Sequence, residues 1–294
     1  MKPQNAGLSE SKNQHVSKTK AQISMTKWNG KVVVVTGGSD GLGKSIVEAF
    51  AAERATVVII ARDESKMISV VESAKPNGLN LDWVAADVTS DQSVKEAFSE
   101  IINRHKKIDV LVNNVGASTR IDFQKCHVEE YKKLLEVNFY SAVRCTLAAL
   151  DHLASVSGQV VNIGSLASKT GWPNVAPYSV SKHALASFSH QLRLEGPPNV
   201  NCLHVCTGPI QREDSKTRYQ GTGDDISDEA KAPGAGVKIK GIPPEKIAAK
   251  IVKCCHKRKR ELVIPFYSRF LFAILQLSPS LGDWMLSKFN KSKG

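Results

Sequence analysis

The chain has 294 residues, 41% of them hydrophobic, and carries 40 Lys and Arg against 28 Asp and Glu. That length and apolar content suit one large α/β domain or two small ones. The excess charge sits at the ends: residues 1–27 hold five Lys and one Glu, residues 250–294 hold ten Lys or Arg and two acids, and residues 28–249 hold 25 of each sign, which excludes a basic nucleic-acid-binding body.

Residues 1–27 are polar and without an apolar run, so they read as a flexible basic tail and not as a secretory signal. From Lys31 the pattern changes. KVVVVTGG is a short β-branched run ending in glycines, and a helix follows over about Leu42–Arg54 with Ile46, Val47, Phe50 and Ala51 on one face. TVVIIAR (56–62) is a second strand, 63–74 a helix, LDWVAADV (81–88) a third strand, and 91–105 a helix with Val94, Ala97, Phe98, Ile101 and Ile102 on one side. IDVLVNN (108–114) is a fourth strand, followed by two helical segments over 127–154. GQVVNIGS (158–165) is a fifth, Val175–Glu195 a helix, NVNCLHVCTG (199–208) a sixth, and ELVIP (261–265) a seventh.

Strands without two-residue alternation are buried on both faces, and strands alternating with helices make right-handed crossovers and a parallel sheet. Residues 28–265 therefore read as a single doubly wound, Rossmann-type α/β domain with helices on both faces. The stretch 211–244, rich in Gly, Pro and charge, is expected to be a substrate lid. None of the six cysteines forms a CxxC pair, and Cys254-Cys255-His256 has no second ligand pair at suitable spacing, so no metal is expected. Without a secretory signal the compartment reads as reducing and cytoplasmic.

Two patterns carry chemistry. TGGSDGLG (36–43) ends the first strand and opens the first helix, where glycines allow positive φ and close approach of backbone N–H groups to a pyrophosphate at a helix N-terminus. That context makes Gly37, Ser39, Asp40, Gly41, Leu42 and Gly43 a candidate dinucleotide-binding turn; a plain strand-to-helix turn is the alternative, and it rarely needs four glycines. The second pattern is Tyr178-x-x-x-Lys182. Four positions apart on a helix, the phenol and the amine share a face. A free phenol titrates near 10, and a neighbouring ammonium lowers that value, making Tyr178 a usable proton donor and acceptor near neutrality. His183, about 100° further round the helix, reads as structural. At the end of the second strand, Arg62 suits the 2′-phosphate of NADP, whereas Asp63 could serve as a helix N-cap.

Taken together, TGxxxGxG after strand one, NNVG (113–116) after strand four, Ser165 after strand five and Tyr178-x-x-x-Lys182 resemble the short-chain dehydrogenase/reductase family over about residues 30–265. Ser165 precedes Tyr178 by thirteen positions and Asn138 precedes Ser165 by twenty-seven, as in that family. The resemblance implies an enzyme in which Tyr178 is the acid or base and Ser165 holds the substrate oxygen. Lys182 would bind the nicotinamide ribose, and Asn138 would support a water chain feeding protons to Lys182. It further implies that Asp87 and Val88 contact the adenine, that Asn114 and Gly116 line the adenosine ribose side, and that Ile210 makes a backbone contact. Two departures stand out. Family members that use NADP often carry a basic residue where this chain has Asp40, and Thr207-Gly208-Pro209-Ile210-Gln211-Arg212 lacks the family's Pro-Gly and later Thr. NADP is nevertheless expected ahead of NAD. A catalytically silent dinucleotide-binding sensor or membrane-associated scaffold is the alternative, which the joint presence of Asn138, Ser165, Tyr178 and Lys182 disfavours.

The C-terminal extension, 266–294, combines an apolar run interrupted by Arg269 with a helical pattern placing Leu281, Trp284, Met285 and Phe289 on one side. The run is too short to span a membrane. Two readings stand: helices that cap the pocket or pack on a second subunit of a homo-oligomer, or an amphipathic pair on an anionic membrane surface beside the basic cluster of residues 250–260. Within the resembled family, the motifs and this apolar tail are similar to members acting on steroids, retinoids and other lipophilic alcohols or ketones.

Overall fold

The computed structural model describes residues 27–212 and 241–289. The expected tail up to residue 26, the centre of the expected lid (213–240) and residues 290–294 lie outside the described residues. Seven parallel strands form one sheet in the order β3-β2-β1-β4-β5-β6-β7: β1 (Val32–Thr36), β2 (Thr56–Ala61), β3 (Leu81–Ala85), β4 (Val110–Asn113), β5 (Gln159–Ile163), β6 (Asn201–Thr207) and β7 (Glu261–Ile264). The doubly wound expectation holds. Alternate valines of β1 serve opposite faces. Val33 and Val35 pack with α1 (Gly41–Ala52) and α2 (Glu64–Ala74), whereas Val32 and Val34 pack with α3 (Asp91–His105) and α5 (Ser141–Ser155). A continuous β-branched run is what burial on both faces requires. The strand order reverses between β1 and β4, which opens a crevice at their carboxyl ends, the usual ligand position in such sheets.

Three differences from the expected elements matter for the site. First, β3 stops at Ala85, so Asp87 and Val88 lie beyond the strand. Second, α4 (Val128–Leu135) and α5 are joined without a break through a π-helical turn, Glu136–Tyr140. One extra residue in that turn brings Asn138 inward, where it is buried. Third, the chain forms a helix, α7 (Pro244–His256), that runs from the last residue of the expected lid into the basic cluster, where no element was predicted. Its apolar positions Ile247, Ala248, Ile251, Val252 and Cys255 join the core beside Phe50 of α1, a helical period that the intervening lysines obscured.

The basic cluster is partly structural. Arg258, at φ 46°, donates to the carbonyls of Ser157 (2.8 Å), Gly158 (3.3 Å) and Asn199 (2.7 Å), bracing the turns that precede β5 and β6. The C-terminal extension is a hairpin of α8 (Ser268–Leu277) and α9 (Pro279–Phe289), closed where Gly282 meets Leu275; a Cβ on Gly282 would lie 2.9 Å from the Leu275 Cα. Phe272 anchors it against Leu166, Cys206 and Val263. The apolar side expected on α9 does not turn onto the domain: Leu281 and Trp284 are exposed and Met285 is half-buried, while the Phe289 side chain lies outside the described residues. The six cysteines are unpaired and four of them are buried. Among the described residues no cluster could hold a metal, and no helix is long and apolar enough to cross a membrane.

Candidate active site

At the carboxyl end of β1 the chain turns through Gly37 (φ 63°) and Gly41 (φ 51°), conformations that side chains rarely adopt. A Cβ on Gly43 would stand 2.0 Å from the Gly37 carbonyl oxygen, so the start of α1 closes directly onto the turn. Asn114 stitches the turn to β4 by donating from Nδ2 to the carbonyls of Thr36 and Gly37, both at 3.1 Å. Asp40 is the N-cap of α1, accepting from the Gly41 N–H at 2.6 Å. Leu42 is buried in the core and Ser39 is half-buried. Among the described residues the space over Gly41 is open, with Arg212 Nη1 3.8 Å from a Cβ built there. Backbone N–H groups at a helix start beneath open space fit the pyrophosphate of a dinucleotide.

Arg62 is exposed at the end of β2, and Asp63 next to it caps α2, accepting from the Lys66 N–H (3.1 Å) and the Ser65 hydroxyl (2.7 Å). Those bonds, with the Lys66 charge, hold the Asp63 carboxyl below the usual range. Asp87 accepts from the backbone N–H and hydroxyl of Thr89, at 2.9 and 2.7 Å. Those two bonds, reinforced by the Arg62 charge, keep its carboxyl low as well. Arg62 and Asp87 thus act on each other electrostatically at one edge of the crevice. Val88 packs its side chain into the core, so its backbone is what it can offer a ligand. Ile210 is half-buried and bridges to Ile242.

Of the four expected catalytic residues, Asn138, Tyr178 and Lys182 cluster, and Ser165 follows two residues after the Ile163 carbonyl that Lys182 holds. Tyr178 and Lys182 lie on α6 (Ala176–Glu195), whose Pro177 sits in its first turn. The Lys182 ammonium is buried, donates to the Ile163 carbonyl at 2.8 Å and stands 5.9 Å from the centre of the Tyr178 ring. Burial pushes the amine down to about 8. Ser165, two residues past β5, N-caps a short turn by accepting from the Ala167 N–H at 3.1 Å. Its hydroxyl acts there as an acceptor, which leaves the O–H to donate. Asn138 exchanges bonds with the Ala117 backbone (2.7 and 2.9 Å) and donates to Ser181 Oγ at 2.9 Å. Ser181 in turn donates to the Tyr178 carbonyl at 2.7 Å. A Cβ on Gly116 would lie 3.2 Å from Asn138 Oδ1 and 3.3 Å from Lys182 Nζ, so Gly116 lets those two groups approach each other. His183 is exposed and uses its ring nitrogen on the Ser179 carbonyl, away from this cluster.

A row of polar side chains under the site was not anticipated from the sequence. Asn113, Asn162 and His204 are register partners across β4, β5 and β6. Asn113 donates to Asn162 (2.8 Å), Asn162 donates to Ser189 (2.9 Å), and Ser189 lies 3.1 Å from His204 Nδ1. Ser189 belongs to α6, so the row fastens that helix to the sheet. His204 also packs on the backbone just before Ser165: a Cβ on Gly164 would lie 2.6 Å from the imidazole. Asn162 and His204 read as single polar positions in apolar runs and Asn113 as part of NNVG; only their register joins the three.

A family model described as short chain dehydrogenase matches residues 31–223. The chain belongs to the short chain dehydrogenase family and is an oxidoreductase of the kind that uses a nicotinamide dinucleotide. Among similar curated proteins, a dehydrogenase/reductase SDR family protein 7-like from Drosophila melanogaster is 30% identical over 272 residues, covering 88% of this chain and 80% of that protein. An 11-beta-hydroxysteroid dehydrogenase from Pinus massoniana is 28% identical over 259 residues, covering 87% and 72%. Among solved structures, an alcohol dehydrogenase from the archaeon Thermococcus sibiricus, complexed with 5-hydroxy-NADP, superposes with a TM-score of 0.67 at 24% identity, covering 80% of this chain and 95% of its own. It shares the fold.

Burial, with the nearby charges of Lys169, Lys182 and Arg193, pushes the His204 imidazole down to about 3. The unfolded chain then takes up a proton below about pH 6.5 that the folded chain refuses, so stability falls as the pH drops from there towards 3. His204→Leu should remove about 1.4 kcal/mol of that loss per pH unit. Urea unfolding of both proteins at several pH values checks this; parallel pH profiles would show that the folded imidazole accepts the proton.

Proposed function

We propose that this chain is an NADP(H)-dependent oxidoreductase that interconverts a lipophilic alcohol and its ketone, with Tyr178 as general acid and base. The observation that carries the reading is the buried Lys182 ammonium, 5.9 Å from the Tyr178 ring and held to the end of the strand that leads into Ser165. The cation stabilises the phenolate form, so the Tyr178 hydroxyl gives a proton to the substrate oxygen in reduction and takes one in oxidation. The Ser165 O–H donates to the same oxygen and orients it. Lys182 doubles as a ligand for the nicotinamide ribose. Asn138 fixes the height of α6 through Ser181 and borders Lys182 across Gly116, which suits the expected proton relay to the amine. The nicotinamide, when bound, supplies or accepts the hydride.

The glycine turn holds the pyrophosphate, with Asn114 and Gly116 on the adenosine ribose side and Asp87, the Val88 backbone and Arg62 at the adenine end. Arg62 carries the preference for NADP over NAD, since a guanidinium pairs with a 2′-phosphate. Asp40 weighs less against NADP than its position suggests, because its carboxylate is engaged in capping α1. The steroid activity named for the pine relative supports a lipophilic substrate.

A second reading concerns location. Phe266, Tyr267, Phe270, Leu277, Leu281 and Trp284 are all exposed on or beside the C-terminal hairpin, with Arg269 over Phe266 and Lys288 over Trp284. Aromatic groups with cations beside them suit peripheral contact with an anionic lipid surface, from the cytoplasmic side. For the expected homo-oligomer, Leu147 on α5 and Val180 and Leu194 on α6 are exposed apolar groups a partner could cover.

Three outcomes test these statements. Tyr178→Phe should cut carbonyl reduction by about 100- to 10,000-fold while NADPH affinity stays within a few-fold, measured by steady-state kinetics and fluorescence titration; undiminished turnover sinks the role of Tyr178. A wild-type chain that binds the dinucleotide but turns over nothing in a broad carbonyl panel would instead be the silent sensor. Arg62→Ala should weaken NADPH binding about tenfold or more and leave NADH binding nearly unchanged; equal losses would remove Arg62 from the 2′-phosphate. In flotation with phosphatidylserine-containing vesicles, the wild type should float in low salt and a Phe270→Ser/Trp284→Ser double variant should not. A wild type that stays at the bottom of the gradient ends the membrane reading.

A further inference from the structure

We infer that Arg212 is a further cofactor-binding residue, a cation that reaches from the end of β6 over the glycine turn to neutralise the dinucleotide's pyrophosphate. This rests on the reading of the turn as the dinucleotide seat. Residues 41 and 212 are far apart in sequence, yet Arg212 Nη1 stands 3.8 Å from a Cβ built on Gly41. Its backbone is placed by the segment after β6. Gly208 N–H donates to the Ile264 carbonyl (2.8 Å), Ile242 N–H to the Pro209 carbonyl (2.8 Å) and Gln211 N–H to the Ile242 carbonyl (2.9 Å). Ile210 and Ile242 form a parallel bridge, with Gly241 packed on Gln211. That staple fixes the chain up to the residue before Arg212 and directs the guanidinium back to the start of α1.

The charge balance at that helix start explains why a cation is useful there. Asp40 already places a carboxylate on the Gly41 N–H, so an arriving pyrophosphate meets a like charge as well as the helix's partial positive end. Lys44, in the first turn of α1, is directed to Glu48 at 4.0 Å. Arg62 lies by Asp87, at the edge assigned to adenosine. Among these cations, Arg212 is the one beside Gly41, and its planar fork matches two phosphate oxygens. The same stretch departs from the family pattern, with Arg212 and no threonine after Ile210.

The test is titration of the full-length protein with NADPH and with NADH, followed by ligand fluorescence at low and moderate ionic strength, for the wild type, Arg212→Ala, Arg212→Lys and Arg62→Ala. Both nucleotides share the pyrophosphate, so Arg212→Ala should weaken both alike, by about tenfold. It should also flatten the salt dependence of binding, with Arg212→Lys intermediate. Arg62→Ala supplies the contrast of a loss specific to NADPH. Because Arg212 is exposed, an unchanged thermal melt by circular dichroism should accompany the loss. Affinities within twofold of wild type for both nucleotides overturn the inference alone. So does a loss confined to NADPH, which puts Arg212 at the 2′-phosphate. A wild type that binds neither nucleotide overturns the functional reading and this inference together.

Discussion

A lysine ammonium buried inside the sheet–helix junction is the constraint around which the site is organised. Lys182 faces the interior, donating to the Ile163 carbonyl, with the face of the Tyr178 ring nearby. Taking an ammonium out of water is costly unless nearby groups compensate, and a carbonyl and an aromatic face compensate only in part, which is why burial lowers the affinity of the amine for its proton. Such a group stays in place because its surroundings hold it. α6 fixes its stem, β5 supplies its acceptor, and Gly116 leaves room for it beside Asn138. The unfavourable burial and the electrostatic reach of the group have one origin: an ammonium poorly solvated by water interacts strongly with the polar groups beside it.

The elements around this cation form a frame. Asn138 enters through the π-helical turn between α4 and α5 and reaches Ser181, one residue before Lys182. Further along α6, Ser189 receives Asn162 and meets His204, so the polar row across β4, β5 and β6 ends on the helix that carries Tyr178. Hydrogen bonds in such a dry interior are directional and expensive to break. They define one register of α6 on the sheet, where apolar contacts alone would tolerate sliding. Gly164 allows His204 to press against the backbone next to Ser165, linking the serine to the same row.

Against its family, the chain departs at the margins of this frame. Asp40 stands where members that use NADP often carry a base, and Arg212 stands past Ile210 where the family's later Thr is missing; beyond β7, an exposed aromatic hairpin follows. The first two place opposite charges beside the same glycine, Gly41. The third leaves large apolar groups in solvent, which sets the C-terminal hairpin apart from the covered core.

Strand–helix alternation, the glycine turn and the Tyr–Lys pair were legible in the sequence because each is local. A β-branched run buried on both faces needs no partner to be recognised, glycines are demanded by backbone sterics within a few residues, and positions four apart on a helix share a face whatever surrounds it. Helix α7 was hidden because its lysines masked the apolar period that packs on α1, and Asp63 could be weighed as a cap but not assigned until its bonds to Ser65 and Lys66 were seen. The burial of Lys182, the row from Asn113 to His204, the bracing role of Arg258 and the approach of Arg212 to Gly41 were decided by tertiary structure alone. Each depends on which strands become neighbours and in what register, and a side chain's charge or polarity carries no record of the distant residue it will meet.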